Sequence, residues 1–258
     1  MSTSAVLHNA DVHTHDAHHE HHHHETFISK YVFSQDHKMI SKQFLITGII
    51  WAIIGGLFSV LFRLQLGYPD TTFPFLEDLL GNWAKGGKLQ PEFYYALVTM
   101  HGTILVFFVL TAGLSGTFAN FLIPLQIGAR DMASPMLNML SYWFFFLASI
   151  IMFASLFVQT GPASGGWTIY PPLSALGDAS SGSKIGMDLW LVSMAMFIVS
   201  SLLGGLNYIS TILNLRTKGM SMTRMPLTIW GLFFTAVLGV LSFPVLLSGA
   251  ILLLFDRN

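Results

Sequence analysis

Cysteine is absent from this sequence, and charged side chains make up only 10% of it. The absence of cysteine excludes disulfides, thiolate metal sites and iron–sulfur clusters. Ordinary globular domains contain roughly 25% charged residues, so the scarcity of charge argues against a soluble protein. The formal net charge is −1, which gives no indication of a nucleic-acid partner. The side-chain groups available for catalysis or ligand binding therefore include histidine, carboxylate, amide and hydroxyl groups.

Apolar residues are abundant where charge is missing, and they make up 53% of the chain. Five stretches are apolar and long enough to cross about 30 Å of hydrocarbon as helices, at approximately 43–66, 93–124, 135–159, 187–213 and 227–255. We therefore predict an all-α fold, a polytopic transmembrane helical bundle over residues 35–258. The polar N-terminus precedes a first apolar stretch near residue 43, which predicts that no signal peptide is cleaved.

Residues 1–34 are predicted to form a disordered, histidine-rich tail. The tract HNADVHTHDAHHEHHHH at 8–24 holds nine of the eleven histidines. Such a tract can bind divalent metal, so buffering or delivery of metal is the alternative to a dispensable tail. The tract is not counted toward a site within the membrane.

Positive charge in the connections predicts the orientation of the bundle. Connections on one side carry Lys30, Lys38, Lys42, Arg130, Arg216, Lys218 and Arg224, whereas acidic residues dilute the positive charge on the other side. Lysine and arginine concentrate in cytoplasmic loops of membrane proteins. We therefore expect a cytoplasmic N-terminus, with the 64–92 and 160–186 connections facing outward.

One histidine lies inside an apolar run, in VTMHGTILVFF at 98–108. Apart from the tail and His37, His101 is the only histidine in the chain. It is either a core side chain bonded to a backbone carbonyl or an axial ligand of haem, a common role for neutral imidazole. In the second case Gly102 would leave room for the edge of the macrocycle.

Four further positions on the outer side could serve such a cofactor. Arg63 lies near the outer end of the first predicted helix, and a haem substituent would supply its partner, unless the guanidinium snorkels to the interface. Ser59 lies one turn earlier on the same face. Trp167 and Tyr170, in GGWTIYPPL, are either aromatic-belt residues or a cover for the propionate side of the cofactor.

Amide, hydroxyl and carboxylate groups gather toward the cytoplasmic side. Asp131 lies in the 125–134 turn, Asn120 closes the second helix and Asn138 opens the third. The fourth helix repeats a polar residue every seven positions, with Ser201 beside the series: Ser193, Ser200, Asn207 and Asn214. Such a stripe either lines a water-filled proton path to the carboxylate or bonds neighbouring helices together.

These residues belong to a pattern that resembles subunit I of the haem–copper terminal oxidases. The resemblance runs from about residue 35 to the end, in the family's order and spacing, and rests on HGTILVFF at 101–108, NFLIPLQIGARDMASPMLNMLSYW at 120–143, GWTIYPPL at 166–173, SSLLGGLNY at 200–208 and the closing LLFDRN. It implies part of a proton-pumping cytochrome c oxidase in a bacterial plasma membrane. That enzyme reduces dioxygen to water.

The resemblance implies a role for each matching position. His101 corresponds to an axial ligand of the low-spin haem, of the haem A type, and Arg63, Trp167 and Tyr170 to residues around that haem. Ser59 is counted with these haem-site residues because it lies one turn before Arg63 on the same face of the helix. Asp131 corresponds to the carboxylate at the mouth of a proton channel, and the channel lining corresponds to Asn120, Asn138, Ser200, Ser201 and Asn207.

Other implied components lie outside this chain. The family subunit has twelve helices, and this sequence contains five, so we expect no oxygen-reducing site here. The high-spin haem and copper are expected from the helices that are absent. The implied partners are the rest of subunit I, other oxidase subunits including a subunit II, membrane lipid, and cytochrome c or another haem protein as electron donor.

Departures from the family pattern leave alternatives open. Quinol oxidases carry arginine and aspartate where this chain has Ile54 and Phe58, which disfavours a quinol-oxidising relative. Gln65 replaces a glutamate of an outer cation site, which weakens a calcium assignment. A truncated assembly or interaction protein without catalysis fits the five-helix length, but it would not need His101, Arg63 and the Asp131 set. A transporter would leave His101 and Arg63 unexplained.

Overall fold

A computed structural model describes residues 27–177 and 184–258, and within those ranges every regular element is helical. Five of the helices are long and apolar enough to cross a membrane: span 1 His37–Gly67, span 2 Pro91–Ile127, span 3 Pro135–Ser155, span 4 Ile185–Asn214 and span 5 Leu227–Arg257. The predicted all-α fold of five spans is confirmed. The histidine tract at 8–24 lies outside the described residues.

Span 1 begins six residues before its predicted start, because its first turns are polar. Asp36 caps this end, and its side chain accepts a hydrogen bond from the Lys38 amide. A short π-helical turn, Ile28–Val32, precedes it within the predicted tail. Gln43 Nε2 donates to the carbonyl oxygens of Tyr31 and Val32 at 2.8 and 3.0 Å. Order therefore begins ahead of residue 35, the predicted boundary of the bundle.

Span 2 is a continuous helix with an unusual middle. It is α-helical over Pro91–Thr103 and Ser115–Ile127, and π-helical over the eleven residues Ile104–Leu114. Thr111 Oγ1 donates to the Val106 carbonyl, five residues earlier, at 2.7 Å. Wide turns of this kind are rare and often occur at functional sites. Here the segment separates the part of span 2 that carries His101 from the part that carries Asn120.

Glycines allow spans 1 and 2 to approach closely, as small residues do between membrane helices. A Cβ atom on Gly48 would lie 3.0 Å from the Gly113 Cα atom. Further along, a Cβ atom on Gly55 would lie 2.9 Å from Leu105 Cδ2. Spans 3 and 4 pair extensively, and span 5 packs on span 4.

An aromatic cluster fills the centre of spans 1 to 4. Phe108 lies 5.8 Å, between ring centroids, from both Phe145 and Phe197, and Phe44 stacks on Phe145 at 5.4 Å. In contrast, span 5 buries only Ile229 and Ala236. The cluster fixes the spans relative to one another, so that the polar groups at either end of the bundle are held in place.

Candidate functional site

The imidazole of His101 is held from span 1. Its Nδ1 atom lies 2.8 Å from the backbone carbonyl oxygen of Gly55. Because a carbonyl oxygen only accepts hydrogen bonds, Nδ1 carries the proton, and Nε2 of the neutral ring keeps its lone pair. The Phe62 ring meets the imidazole edge-on at 5.4 Å between centroids. The structure therefore contains the carbonyl contact of a core histidine, which is also the support that metal-ligating histidines use.

The outer connection brings Trp167 against Gly102, the residue that follows His101. A Cβ atom on Gly102 would lie 3.0 Å from Trp167 Cδ1. The space that we expected Gly102 to leave for a macrocycle therefore holds an indole, because the Gly166 amide donates to Thr99 Oγ1 at 2.9 Å and ties the connection to span 2. Trp167 remains 44% exposed, so part of it is open to a group outside this chain.

Three other predicted cofactor residues, Ser59, Arg63 and Tyr170, make no hydrogen bond to His101 in the part of the chain that the structure describes. Ser59 and Arg63 follow Gly55 at intervals of four, so they lie on the face of span 1 that meets His101. Arg63 is exposed and makes no hydrogen bond or ion pair with any described residue. Tyr170 is 73% exposed. Both side chains are thus available to a group outside this chain.

The positions that depart from the family pattern have packing roles. Ile54 and Phe58 pack against the main apolar core. Gln65 Oε1 accepts a hydrogen bond from the Leu89 amide at 3.0 Å, and Lys88 Nζ donates to the Pro69 carbonyl at 2.9 Å. Gln65 therefore fastens the connection between spans 1 and 2.

At the opposite end of the bundle, Asp131 pairs with a histidine that the sequence analysis set aside. His37 Nδ1 lies 3.0 Å from Asp131 Oδ1, and His37 is buried. Its Nε2 atom is buried without a hydrogen-bond partner among the described residues. The two residues are 94 positions apart in the sequence, which gave no signal of this contact. His37 thus joins the set around Asp131.

Within the part of the chain that the structure describes, one group of side chains is spaced closely enough to hold a metal ion. It consists of Asp36, His37 and Asp131, whose ligand atoms lie within 4.8 Å of one another. The group is separate from His101. Gly55, which contacts His101, follows His37 by 18 residues, or about 27 Å along a helix. Any ion held there would therefore be distant from a cofactor on His101.

The connection that carries Asp131 is fixed by span 4. Asn207 Oδ1 accepts from the Ser134 amide at 2.9 Å, and Asn207 Nδ2 donates to the Ser134 carbonyl at 3.1 Å. Thr211 Oγ1 accepts from the Ala133 amide at 2.9 Å. The predicted channel residue Asn207 thus uses both ends of its amide on the backbone, which is the helix-bonding role considered for the polar stripe.

Asn120 and Asn138 are arranged differently, because both keep polar atoms without a protein partner. Asn120 Nδ2 donates to the Gly116 carbonyl at 2.7 Å and to the Tyr208 hydroxyl at 3.2 Å, while its Oδ1 has no partner. Neither amide atom of Asn138 has one. Buried polar atoms of this kind are normally satisfied by ordered water, so these two asparagines are suited to a hydrated path.

A cavity of 90 Å³ lies further inward and is lined by residues of all five spans. Its lining includes the hydroxyl residues Thr111, Ser115, Ser141, Ser200, Ser201 and Tyr208. Ser200 Oγ donates to the Ser141 carbonyl at 2.6 Å, whereas Ser115 and Ser201 bond to no described residue. A water molecule needs about 10–15 Å³ of such a volume, so the cavity has room for several waters.

Comparison with known proteins places the sequence in a family of membrane proteins. Residues 39–258 match the family Cytochrome C and Quinol oxidase polypeptide I. The chain therefore belongs to that family and is an integral membrane protein.

The relatives are considerably longer than this chain. The chain is 43% identical over 229 residues to the alternative cytochrome c oxidase subunit 1 of Bradyrhizobium diazoefficiens, covering 89% of the chain and 36% of that relative. It is 40% identical over 227 residues to cytochrome c oxidase subunit 1 of Synechocystis sp., covering 88% and 37%. It spans about a third of the length of these relatives.

Proposed function

We propose that this chain forms the first five helices of the catalytic subunit of a proton-pumping terminal oxidase, which reduces dioxygen to water. In this proposal it supplies an axial ligand to the low-spin haem and the beginning of the proton-uptake path. The proton path begins on the cytoplasmic side, where the N-terminus lies, in a bacterial plasma membrane.

The single observation that carries the proposal is the hydrogen bond from His101 Nδ1 to the Gly55 carbonyl. It orients the ring and leaves Nε2 as the ligand atom, which suits haem iron. When bound, a low-spin haem, of the haem A type in this proposal, accepts and passes on single electrons. Arg63 and Trp167 would border it, and Ser59 and Tyr170 lie on the same side of the molecule.

The proton path is proposed from the groups at the other end. Asp131 takes up a proton from the cytoplasm, and its Oδ1 atom is hydrogen-bonded to His37 Nδ1, 3.0 Å away. Asn120 and Asn138 offer unpartnered amide atoms to water. Ser200 and Ser201 then line the inner cavity, while Asn207 acts by holding the connection that carries Asp131.

The remaining parts of the reaction belong to other components. The high-spin haem and the copper would be held by the rest of subunit I, and no oxygen-reducing site is assigned to this chain. Subunit II and other oxidase subunits would complete the assembly in lipid. The packed apolar side chains of Ile54 and Phe58 favour cytochrome c, or another haem protein, over a quinol as the electron donor.

The haem assignment is tested on the purified membrane assembly that contains this chain. We expect a reduced-minus-oxidised difference spectrum with a low-spin haem band, and a second haem that responds to carbon monoxide. His101→Leu should remove the low-spin band, whereas His37→Leu, the matched control, should retain it. A complete absence of haem from the native assembly would instead favour a non-catalytic assembly protein.

The proton path is tested with Asp131→Asn in the same assembly, reconstituted into vesicles. We expect slower proton uptake with an unchanged haem spectrum. Asp70→Asn removes an exposed carboxylate from the other side of the bundle and should have no effect. Normal uptake in the Asp131 variant would reduce the polar stripe to helix packing.

A further inference from the structure

We infer that the hydroxyl of Tyr208 passes protons between the asparagines near Asp131 and the inner cavity. This inference rests on the proposed function, because it adds a residue to the proton path. Its basis is a juxtaposition in space: among the described residues, Tyr208 is the one side chain that both bonds an asparagine side chain of this group and lines the cavity.

The two halves of Tyr208 lie in different surroundings. Its ring belongs to an apolar cluster with Ala119, Ile123 and Ile212, and only 9% of the residue is exposed. Its hydroxyl leaves that cluster and reaches Asn120 Nδ2, 3.2 Å away. The ring thus anchors the side chain, and the hydroxyl is fixed at the boundary between the asparagines and the cavity.

The directions of the hydrogen bonds around Tyr208 allow its phenolic proton to bond to water in the cavity. Asn120 Nδ2 must be a donor, because it also contacts the Gly116 carbonyl at 2.7 Å. The Tyr208 oxygen therefore accepts from Asn120, and its own proton has no acceptor among the described residues. Gly204 lies against the hydroxyl on the cavity side, since a Cβ atom there would be 3.5 Å from the Tyr208 oxygen.

This geometry permits a balanced transfer with water as the only co-reactant. Asn120 Oδ1 is buried and has no partner among the described residues, so in this inference it binds a water that receives protons from Asp131. A proton passed from Asp131 to that water moves on to the phenolic oxygen as the original hydroxyl proton leaves to water in the cavity, so the first water ends neutral and one proton has crossed from the Asp131 side to the cavity. Rotation of the hydroxyl then restores the starting state, and neither charge nor electrons remain on the tyrosine.

The test compares two buried tyrosines in the purified, reconstituted assembly. Tyr208→Phe removes the hydroxyl alone, and we expect proton uptake to slow by about tenfold with unchanged haem spectra. That loss is below the 10²–10⁴-fold typical of a general acid–base group, because water can partly replace the hydroxyl. Tyr142→Phe is the control: its hydroxyl bonds Thr47 Oγ1 at 3.2 Å and does not line the cavity.

The outcomes separate this inference from the proposed function. Slow uptake in both Asp131→Asn and Tyr208→Phe, with normal uptake in Tyr142→Phe, supports the inference. Slow uptake in Asp131→Asn with normal uptake in Tyr208→Phe overturns it and leaves the proposed path standing. Normal uptake in Asp131→Asn overturns the path itself.

A second pair of variants is available in case Tyr208→Phe does not assemble. Both Gly204 and Gly205 line the cavity, but only a methyl group on Gly204 would contact the Tyr208 oxygen. A methyl group on Gly205 would meet Val240 Cγ2 at 3.2 Å instead. Slower proton uptake in Gly204→Ala than in Gly205→Ala supports the inference, and equal rates overturn it.

Discussion

The carbonyl oxygen of Gly55 lies 2.8 Å from Nδ1 of His101, so a backbone group of span 1 sets the orientation of an imidazole on span 2. The contact depends on the close approach of the two helices. A Cβ atom on Gly55 would lie 2.9 Å from Leu105 Cδ2 and 3.0 Å from Ile104 Cγ2. Glycine is therefore required at this position for the helices to reach their observed separation.

Gly55→Ala should weaken the proposed haem site without removing its ligand. The added methyl group pushes spans 1 and 2 apart, which lengthens the hydrogen bond to His101. We expect a loss of low-spin haem in the difference spectrum, with a stability loss of about 1–3 kcal/mol, as for other overpacked sites. Gly56→Ala is the control, because no atom lies within 4 Å of its added Cβ. Equal haem content in the two variants would contradict this role.

Gly102→Ala should disturb the indole that lies beside His101. The new methyl group would approach Trp167 Cδ1 to 3.0 Å, so the tryptophan must shift. We expect a displaced low-spin haem band at nearly normal haem content, measured in the optical difference spectrum. Gly177→Ala, on the same connection, meets nothing within 4 Å and should leave the band in place.

Asn138 and Asn207 should respond in opposite ways to replacement by leucine. Asn138→Leu removes amide atoms that have no protein partner, so thermal stability should be retained while proton uptake slows. Asn207→Leu breaks two hydrogen bonds to Ser134, and removal of one partner leaves buried backbone groups unsatisfied at about 1–3 kcal/mol each. A lower temperature of thermal inactivation is therefore expected for Asn207→Leu alone.

The ion pair between Asp188 and Arg257 should contribute to stability and not to electron transfer. Arg257 Nε donates to Asp188 Oδ1 at 2.6 Å, which joins the end of span 5 to the start of span 4. Asp188→Asn should lower the temperature of thermal inactivation, because it replaces a charged partner of a buried guanidinium with a neutral amide. Asp256→Asn removes a neighbouring exposed carboxylate that has no ion pair with a described residue. That control should behave as the native assembly.

The five spans could be predicted because hydropathy depends on composition over many residues, and error was confined to their ends. Span 1 begins in the polar sequence HKMISK, which hydropathy alone places outside the membrane. Span 3 ends at Ser155, not near residue 159, although the residues between are mostly apolar. Tertiary contacts, which hydropathy does not describe, accompany the end of this helix. In the connection after it, Gly161 has φ +89° and packs against Trp83.

The candidate site was less accessible to sequence reasoning. In a sequence, a polar residue that faces water cannot be distinguished from one that bonds to a neighbouring backbone. Asn207 and Asn138 were therefore predicted to have the same role. His37 was missed because its partner Asp131 lies 94 positions away. Tyr208 was missed because an aromatic ring in a membrane helix indicates packing, and only the fold shows where its hydroxyl is directed.

The π-helical segment Ile104–Leu114 constrains the number of residues that span 2 can contain. A π turn accommodates an additional residue without breaking the helix, so the angular offset between His101 and Asn120 depends on the number of residues in this segment. Gain or loss of one residue would rotate Asn120 away from Tyr208 while His101 stayed against Gly55. We therefore expect the number of residues in this segment to be conserved.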